Sequence, residues 1–432
     1  MWSGADLRSK RLRQAHDYVL TALSAVWRRL MFRTTFIAIT GSAGKSTATR
    51  CLGAMLSSHY RINYSRSSGN ARAKLARIVL STRPWHRFTV IEVGTRAPGA
   101  LRRAAWTIAP DIVLMLRVLN VHSDEFPTLD AMAAEKAQLL SRLSRRGMAV
   151  LNADDERVLS MGERCRGRVH TFGLSATADV AAADVSSRWP DALSFRVRFR
   201  GQWAEAKTNL HGEHFLYSAL GAVATAVHCG VPLEDAVAQL AHVQPVPGRM
   251  QPMPLPNGAT AICDTFNGTL PALKAGLDFL AQARASRKIA VVGDVFDSGL
   301  TSRPRARDLG RRVAAAADVG VFIGGEAHCS AREAARFADA KPVTAYAFKM
   351  AEEAAAFLRS RLRPGDLLYI QGWERRHLER IAIAQSGEIG CHRQMCQWRV
   401  QCSDCPHLNF VPFSALAASA LVMVQSGSSN PR

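Results

Sequence analysis

The sequence predicts an α/β protein in which a mostly parallel sheet, with helices on both faces and a small antiparallel section, is followed by a smaller, Rossmann-like α/β domain. Short apolar runs rich in β-branched residues alternate with longer helix-compatible segments, as they do when crossover helices join parallel strands. Residues 193–199 instead alternate apolar and polar side chains with period two, which indicates an antiparallel strand buried on one face. The parallel strands are predicted at residues 36–40, 88–93, 112–116 and 149–152 of the first domain and at 289–292, 319–323 and 367–370 of the second.

The composition is that of a globular chain with a strong positive charge. The chain has 432 residues, of which 48% are hydrophobic and 21% charged, so two or three domains with ample cores are expected. The net charge of +21 indicates either a compositional arginine bias or a preference for an acidic substrate or an anionic surface. No block of like charge is long enough to suggest a nucleic-acid-binding tail, so no nucleic acid is expected as a partner.

We find no signal-peptide pattern and no apolar run of membrane-spanning length in the sequence. We therefore expect the protein in the cytoplasm, where its nine cysteines would be mostly reduced.

Residues 1–34 are predicted to form a basic amphipathic N-terminal helix. Residues 1–33 contain seven Lys or Arg residues against two acidic ones, Asp6 and Asp17. One interpretation is a helix that lies on an anionic membrane surface, which would place the protein peripherally at the inner face of the membrane. The other interpretation is a helix that packs on the body of the protein. The apolar residues that recur at near-helical spacing are Leu12, Val19, Leu23, Val26, Trp27 and Leu30.

A glycine-rich turn follows the first predicted strand and precedes a helix-compatible segment. Backbone N–H groups in such a turn, together with the dipole of the following helix, favour a phosphate group. Lys45 can reach the terminal phosphates of a nucleotide, and Ser46 or Thr47 can hold Mg2+. Only two residues separate the glycines, whereas the general P-loop has four, so the flanking strand and helix carry the prediction of nucleotide binding. The predicted phosphate loop consists of Gly41, Ser42, Ala43, Gly44, Lys45, Ser46 and Thr47.

Two further polar residues lie at or after the end of a predicted strand, where ligands are expected in a parallel α/β sheet, and a lysine lies in the helix-like run after them. Glu92 closes the second parallel strand of the list above, and it is either a Mg2+ ligand or an ordinary exposed carboxylate. His122 follows the next strand, and it either ligates a metal or orients a phosphate, or does neither. Lys136 lies in a helix-like run, where a lysine is ordinarily solvated.

Taken in order, these residues resemble the Mur ligase family, whose members join an amine to a carboxylate with ATP. The family's phosphate loop is similar to residues 40–46, and its E-x-G-x4-G motif is similar to residues 92–99. Its N-V…H-x3-F…K series is similar to residues 120–136, with a shorter stretch before His122 and the same spacing from His122 to Lys136. The resemblance implies that Lys136 is carbamylated and supports the second of two Mg2+ ions. The Mg2+ ligands implied by the family are Ser46 or Thr47, Glu92, His122 and Lys136.

The second half of the chain continues the resemblance as far as about residue 385. Residues 210–220 are similar to the family's L-x-G-x-H-N-x-x-N-A-L segment, but the two Asn positions are Phe215 and Ser218 in this chain. Residues 247–250 are similar to the P-G-R-M/F hinge, whose arginine approaches the ATP phosphates in the family. The family's K-G-S-R reads Gln-Gly-Trp-Glu at residues 371–374, which implies a lost or changed substrate contact. The nucleotide-binding residues implied outside the phosphate loop are His214, Arg249, Asp264 and Asn267.

Two signals point to different branches of the family. Asp264 and Asn267 lie in a motif that resembles the branch adding D-alanyl-D-alanine to the peptidoglycan precursor. Only 35 residues precede Phe36, too few for the N-terminal domain that grips a UDP-sugar in precursor-building Mur ligases. That arrangement resembles the poly-γ-glutamate synthetases instead.

The sequence predicts four parts: the N-terminal helix to residue 34, a central ATP-binding domain at 35–248, a C-terminal α/β ligase domain at 249–385 and a cysteine-rich tail at 386–432. Four cysteines of the tail lie within 15 residues, and they either hold Zn2+ tetrahedrally or are free, redox-sensitive thiols. These residues are Cys391, Cys396, Cys402 and Cys405.

The function predicted from this resemblance is an ATP- and Mg2+-dependent ligase that forms an amide through an acyl phosphate. The catalytic residues would be Lys45, Glu92, His122, Lys136 and Arg249. The carboxylate substrate would be a cell-wall or polymer fragment, and the amine an amino acid or dipeptide. The alternative is a P-loop protein that binds ATP, associates with a membrane and has a regulatory role with degenerate catalysis.

Overall fold

The computed structural model describes residues 4–65, 72–95, 97–121, 125–295, 301–337, 343–398 and 400–415. These residues form two compact units. The first unit contains residues 1–187 and 192–244, and the second contains residues 188–191 and 245–432. The four-part division drawn from the sequence stays a prediction.

A nine-stranded sheet forms the centre of the first unit, in the order β2-β3-β1-β4-β5-β6-β7-β8-β9. Neighbouring strands from β2 to β7 pair in parallel, whereas β7, β8 and β9 pair antiparallel. Strands β3, β4 and β5 are fully buried, and β1 is buried except at Thr35, because helices cover both faces of this part of the sheet. The strands are β1 Thr35–Thr40, β2 Ile62–Tyr64, β3 Phe88–Glu92, β4 Ile112–Met115, β5 Met148–Asn152, β6 Arg168–Gly173, β7 Val180–Ser186, β8 Ser194–Phe199 and β9 Gln202–Lys207.

Eight α-helices belong to the first unit within the described residues. The Ala-rich helix α7 is buried on nearly all sides, as its mostly small and apolar sequence predicts. The helices are α1 Gly4–Leu30, α2 Lys45–Ser57, α3 Arg72–Leu80, α4 Ala100–Ile108, α5 Leu129–Ala137, α6 Glu156–Ser160, α7 Leu216–His228 and α8 Leu233–Leu240.

Helix α1 packs on α3 and α4, and side chains near its C-terminal end bond to the segments that follow those helices. The indole of Trp27 donates to the carbonyl of Thr82 at 3.0 Å, and the buried guanidinium of Arg28 reaches the carboxylate of Asp111 at 2.9 Å. Packing on the body of the protein was one of the two interpretations of this helix. Of the helices in the described ranges, none is both long and apolar enough to span a membrane.

The second unit is built on a six-stranded sheet in the order β10-β11-β15-β12-β13-β14. All neighbours pair in parallel except β10 and β11. The strands are β10 Gln251–Pro254, β11 Thr260–Asp264, β12 Arg287–Val292, β13 Val319–Ile323, β14 Thr344–Phe348 and β15 Asp366–Gln371. The helices are α9 Leu270–Gln282, α10 Ser302–Ala316, α11 Ala327–Arg336, α12 Ala351–Arg359 and α13 Arg380–Ile383.

A two-stranded antiparallel sheet follows in the cysteine-rich tail. Strand β16, Gly387–Ile389, pairs with β17, Phe410–Pro412. The sequence pattern predicted no regular structure there, because strands of three residues are too short to show a period.

Candidate functional site

The phosphate loop connects β1 to α2 with two glycines in unusual backbone positions. Gly44 has φ +79° and forms the N-cap of α2, where no side chain caps the helix and no acidic residue occupies the first turn. The end of the helix is therefore positive and uncapped by any side chain, as an anion site requires. The ammonium of Lys45 folds back over the loop, 2.8 Å from the carbonyl oxygen of Gly41.

Both glycines lie against neighbouring segments of the same unit. A Cβ placed on Gly41 would lie 2.8 Å from Cβ of Leu116, and one on Gly44 would lie 2.2 Å from Oγ of Ser218. The hydroxyl of Ser42 donates to the carbonyl of Leu119 at 3.1 Å and accepts from its N–H at 2.9 Å. The loop after β4 and the first turn of α7 therefore fix the shape of the phosphate loop.

Ser46 and Glu92 come together at the carboxyl ends of β1 and β3. The Ser46 hydroxyl donates to Oε2 of Glu92 at 2.8 Å, and both side chains are buried. A serine hydroxyl and a carboxylate are hard oxygen donors of the kind that Mg2+ prefers, so this donor set fits the ion.

Lys136 lies near the C-terminal end of α5 and is 2% exposed. Burial, with the nearby positive charge of Lys45, lowers the pKa of its amine to about 7, against the opposing charge of Glu135. The Glu135 carboxylate accepts from the backbone N–H groups of Gly99 and Leu101, each at 2.8 Å. Glu135 thus ties the loop after β3 to the turn of helix that carries Lys136.

The second unit brings Arg249 to Phe266 and Asp264. The guanidinium of Arg249 lies 4.4 Å from the centre of the Phe266 ring. Gly248, with φ +69°, accepts at its carbonyl from the N–H of Phe266 at 3.0 Å. The hinge arginine is therefore held on the segment that follows β11.

Asp264 is the last residue of β11, immediately before the segment that contains Phe266. Burial raises the pKa of its carboxyl to about 6, and the charge of Arg249 and the hydroxyl of Tyr369 oppose that rise. The Tyr369 hydroxyl donates to Oδ2 of Asp264 at 3.2 Å, and Nε2 of Gln371 donates to the carbonyl of Asn267 at 3.0 Å. The carboxyl ends of β11 and β15 thus form one polar edge.

The structure places most of the predicted site residues in these two groups. Gly41 through Thr47, Glu92 and Lys136 come together in the first unit, and Arg249, Asp264 and Asn267 come together in the second. His122 lies outside the described residues. His214 is exposed, and its ring packs beside that of Phe215, with ring centres 4.3 Å apart.

Reasoning from sequence did not assign a role to three residues that shape these groups. Glu135 is marked in the sequence only by its place beside Lys136, and Tyr369 only by its place in a predicted strand. Their hydrogen-bond partners are distant in sequence, so no motif identifies them. Ser218 was noted only as a departure from the family pattern, yet its hydroxyl lies against Gly44.

Two domain families match the chain. The Mur ligase middle domain matches residues 39–226, and the Mur ligase glutamate ligase domain matches residues 248–373. The UDP-N-acetylmuramoyl-tripeptide–D-alanyl-D-alanine ligase of Mycobacterium tuberculosis is 28% identical over 388 residues, which cover 83% of this chain and 74% of that protein. The Escherichia coli protein of the same name is 26% identical over 313 residues, which cover 70% of this chain and 68% of that protein.

Solved structures show the same fold. A crystal structure of MurF from Acinetobacter baumannii is 25% identical, with a TM-score of 0.76 over 85% of this chain and 80% of that chain. The MurF ligase of Thermotoga maritima in complex with ADP is 20% identical, with a TM-score of 0.73 over 84% of this chain and 82% of that chain.

These comparisons confirm the predicted α/β fold class, and they confirm the ligase class of enzyme over the regulatory alternative. The two matched domains follow one another in the predicted order and together span most of the sequence. This chain belongs to the Mur ligase family.

Proposed function

We propose that this chain is an ATP-dependent ligase that joins the carboxylate of a peptide to the amine of a D-alanyl-D-alanine-like dipeptide. The observation that carries the proposal is the buried Ser46–Glu92 pair at the uncapped N-terminus of α2, with Lys45 over the phosphate loop. The names of the relatives, which are tripeptide–D-alanyl-D-alanine ligases, support this choice of acid and amine.

The reaction requires an activated acid, because a carboxylate has a poor leaving group toward an amine. A carboxylate oxygen attacks the γ-phosphorus of ATP, the bond from phosphorus to the bridging oxygen breaks, and ADP leaves. The amine then attacks the acyl carbon, and phosphate leaves with the former carboxylate oxygen. Lys45 and the backbone N–H groups of the phosphate loop would offset the charge of the transferring phosphoryl group.

Mg2+ would be held by Ser46 and Glu92, with His122 and a modified Lys136 as further ligands. When bound, the ion neutralises phosphate charge during phosphoryl transfer. Because the pKa of Lys136 is lowered to about 7, a substantial part of its amine is neutral near pH 7, unlike that of an ordinary lysine. A neutral amine can attack CO2, forming an N–C bond and releasing a proton. The resulting carbamate is an anion, which suits a site beside Lys45 better than a second ammonium does.

The test is the release of ADP and phosphate by the purified chain. Release should require ATP, Mg2+, a UDP-muramoyl-tripeptide and D-alanyl-D-alanine together. Lys45→Ala should abolish release, whereas Lys207→Ala, at an exposed lysine of the same unit, should leave it unchanged. ATP hydrolysis at full rate without either substrate would contradict the proposal. Turnover with L-glutamate and a poly-γ-glutamate chain, but not with the dipeptide, would assign the acid and amine to the other branch.

We also propose that α1 docks the protein on an anionic membrane surface through the face that does not pack on α3 and α4. Five apolar residues on this face are more than half exposed. Val19, Leu23, Val26 and Leu30 recur at the spacing of a single helical stripe, with Tyr18 at its margin. The N-terminal half of the helix carries four basic residues in its sequence. The five exposed apolar residues are Tyr18, Val19, Leu23, Val26 and Leu30.

Aromatic and basic side chains extend this surface beyond the end of α1. Phe32 is 82% exposed and Trp85 is 61% exposed, and both line a cleft of about 470 Å3 with Arg33 and Arg87. Exposed aromatic rings beside arginines suit the interface of a bilayer with anionic headgroups.

Co-sedimentation with vesicles tests the membrane proposal. The chain should sediment with phosphatidylglycerol vesicles and much less with phosphatidylcholine vesicles. Leu23→Glu with Val26→Glu should reduce sedimentation several-fold, whereas Leu159→Glu, at an exposed leucine outside this surface, should not. Equal sedimentation with both kinds of vesicle, or none with either, would overturn it.

A further inference from the structure

We propose that the cysteine-rich tail is a zinc-binding hairpin in which Cys391, Cys396, Cys402 and Cys405 hold one Zn2+ ion. Strands β16 and β17 close the base of this hairpin, and the N–H of Gly390 donates to the carbonyl of Asn409 at 3.1 Å. The tail lies outside both matched Mur ligase domains, the second of which ends at residue 373.

The four cysteines line a single small cavity. Its volume is about 20 Å3, which is the scale of one water molecule or one ion. Cys402 and Cys405 belong to one tight turn, in which the N–H of Cys405 donates to the carbonyl of Cys402 at 3.1 Å. A Cys-x2-Cys turn is a common half of a tetrahedral zinc site. All four thiols are free of disulfides.

The hairpin loop has almost no hydrophobic core to hold it in place. Among its described residues from 390 to 409, only Cys402 and Leu408 are buried. The loop has one three-residue 3-10 turn and otherwise irregular backbone. A loop of this length without apolar packing requires another source of order, and a metal ion supplies it in many small folds.

A tetrathiolate zinc centre carries two net negative charges, and a buried positive side chain, Arg380, lies beside the cavity. The buried guanidinium of Arg380 lines the cavity and donates to the carbonyls of Cys391 at 3.0 Å and Arg393 at 2.6 Å. Arg380 therefore both fixes the backbone that carries Cys391 and supplies a compensating positive charge.

Within the described residues, the ligand atoms of His377, Glu379 and Cys402 lie within 4.8 Å of one another, whereas the four tail sulfurs are not grouped at that spacing. Binding of the ion by the four thiols would therefore draw their side chains together across the cavity. Both ring nitrogens of His377 are already engaged, at 2.9 Å from Oε1 of Glu379 and 3.2 Å from the carbonyl of Trp398. The same Glu379 oxygen accepts from the N–H of Cys402 at 3.2 Å. These three contacts hold the backbone of the hairpin loop, so we assign His377 and Glu379 to positioning and the four thiols to the metal.

The hairpin also contacts the hinge within the second unit. A Cβ placed on Gly248 would lie 2.7 Å from Nε2 of Gln401, which immediately precedes Cys402. An ion that fixes Cys402 would therefore also fix Gln401 against the residue that precedes Arg249. Loss of the ion should loosen this segment.

The test is metal analysis of the full chain, which needs no ligase assay. After gel filtration with a mild chelator, we expect about one zinc per chain by mass spectrometry. Cys391→Ser and Cys396→Ser should each lower this at least five-fold, whereas Cys329→Ser, at a cysteine far from the tail in sequence, should retain it. Zinc retained by Cys391→Ser and Cys396→Ser would overturn the four-cysteine site in favour of the set with His377.

Two further measurements use the wild-type chain, so they hold even where a variant fails to fold. Reconstitution with Co2+ should give the thiolate charge-transfer bands of tetrahedral sulfur coordination. Removal of the metal should speed amide hydrogen exchange at residues 248–250. A disulfide among the four cysteines in the chain purified with its metal, or a Co2+ spectrum without thiolate bands, would overturn the proposal.

Discussion

The buried amine of Lys136 should make the stability of the first unit depend on pH. Its pKa is lowered from 10.5 to about 7 by burial and by the charge of Lys45. In the unfolded chain the amine keeps its ordinary pKa. Between these two values the unfolded chain binds a proton that the folded chain does not, so stability should rise with pH across this window. From about pH 7 to about pH 9 the gain works out at ~2 kcal/mol.

The perturbation is Lys136→Met, which removes the titrating group and keeps an unbranched side chain of similar length. Urea unfolding of the wild type and the variant is measured at both pH values in buffers free of CO2. The free energy of unfolding of the wild type minus that of the variant should be ~2 kcal/mol larger at about pH 9 than at about pH 7. Lys207→Met, at an exposed lysine, should change this difference by less than about 0.5 kcal/mol. If the difference in unfolding free energy between the wild type and Lys136→Met does not change with pH, the argument that burial lowers the pKa of Lys136 is refuted.

Three further predictions concern the phosphate loop and its neighbours. Ser46→Ala removes the hydroxyl that lies 2.8 Å from Glu92, so the Mg2+ concentration for half-maximal ADP release should rise about tenfold or more, as a Mg2+ titration would measure. Gly44→Ala places a Cβ atom on a backbone with φ +79°, 2.2 Å from Oγ of Ser218. The backbone strain of about 1–2 kcal/mol, together with this clash, should weaken ATP binding roughly tenfold, as calorimetry would measure. Adding Ser218→Ala should remove the clash but not the backbone strain, so ATP affinity should be restored only in part. Lys136→Arg keeps a positive charge but cannot form a carbamate, so bicarbonate should stimulate ADP release by the wild type and not by this variant; equal stimulation of both would contradict a carbamate at this position.

Much of the fold could be predicted from the sequence, because buried parallel strands are short apolar runs with a clear boundary. The strand predicted at residues 319–323 has the observed bounds, and that at 36–40 differs from Thr35–Thr40 by one residue. In the two main sheets, the strands that were not predicted are β2, β6, β7, β9, β10, β11 and β14. Of these, β2, β6 and β14 are each only partly apolar or partly exposed, since β2 and β14 lie at sheet edges and β6 leads into the antiparallel section. A local pattern does not distinguish such segments from loops.

The residues of the candidate site could be predicted where they belong to one contiguous motif, but not where segments distant in sequence come together. The phosphate loop is contiguous, so its residues could be named from their spacing. The contact of Ser46 with Glu92 follows from the rule that carboxyl ends of parallel strands share an edge. The pairing of Tyr369 with Asp264 joins residues 105 apart, and no spacing rule connects them. The lowered pKa of Lys136 depends on its burial, which a helix-like run alone does not reveal.

The two departures from the family pattern near the start of α7 have different structural consequences. Phe215 is buried, and its ring offers no hydrogen bond, so its contribution there is packing. The Ser218 hydroxyl instead occupies the space beside Gly44, where even one added carbon would lie 2.2 Å away. A longer amide side chain at position 218 would have to turn away from the loop or displace it. Ser218 thus preserves the contact between α7 and the phosphate loop. A loop that no longer bound a nucleotide would not need this contact. The departure at Ser218 therefore argues for a retained nucleotide site with altered contacts, and it weakens the case for degenerate catalysis that the sequence alone had left open.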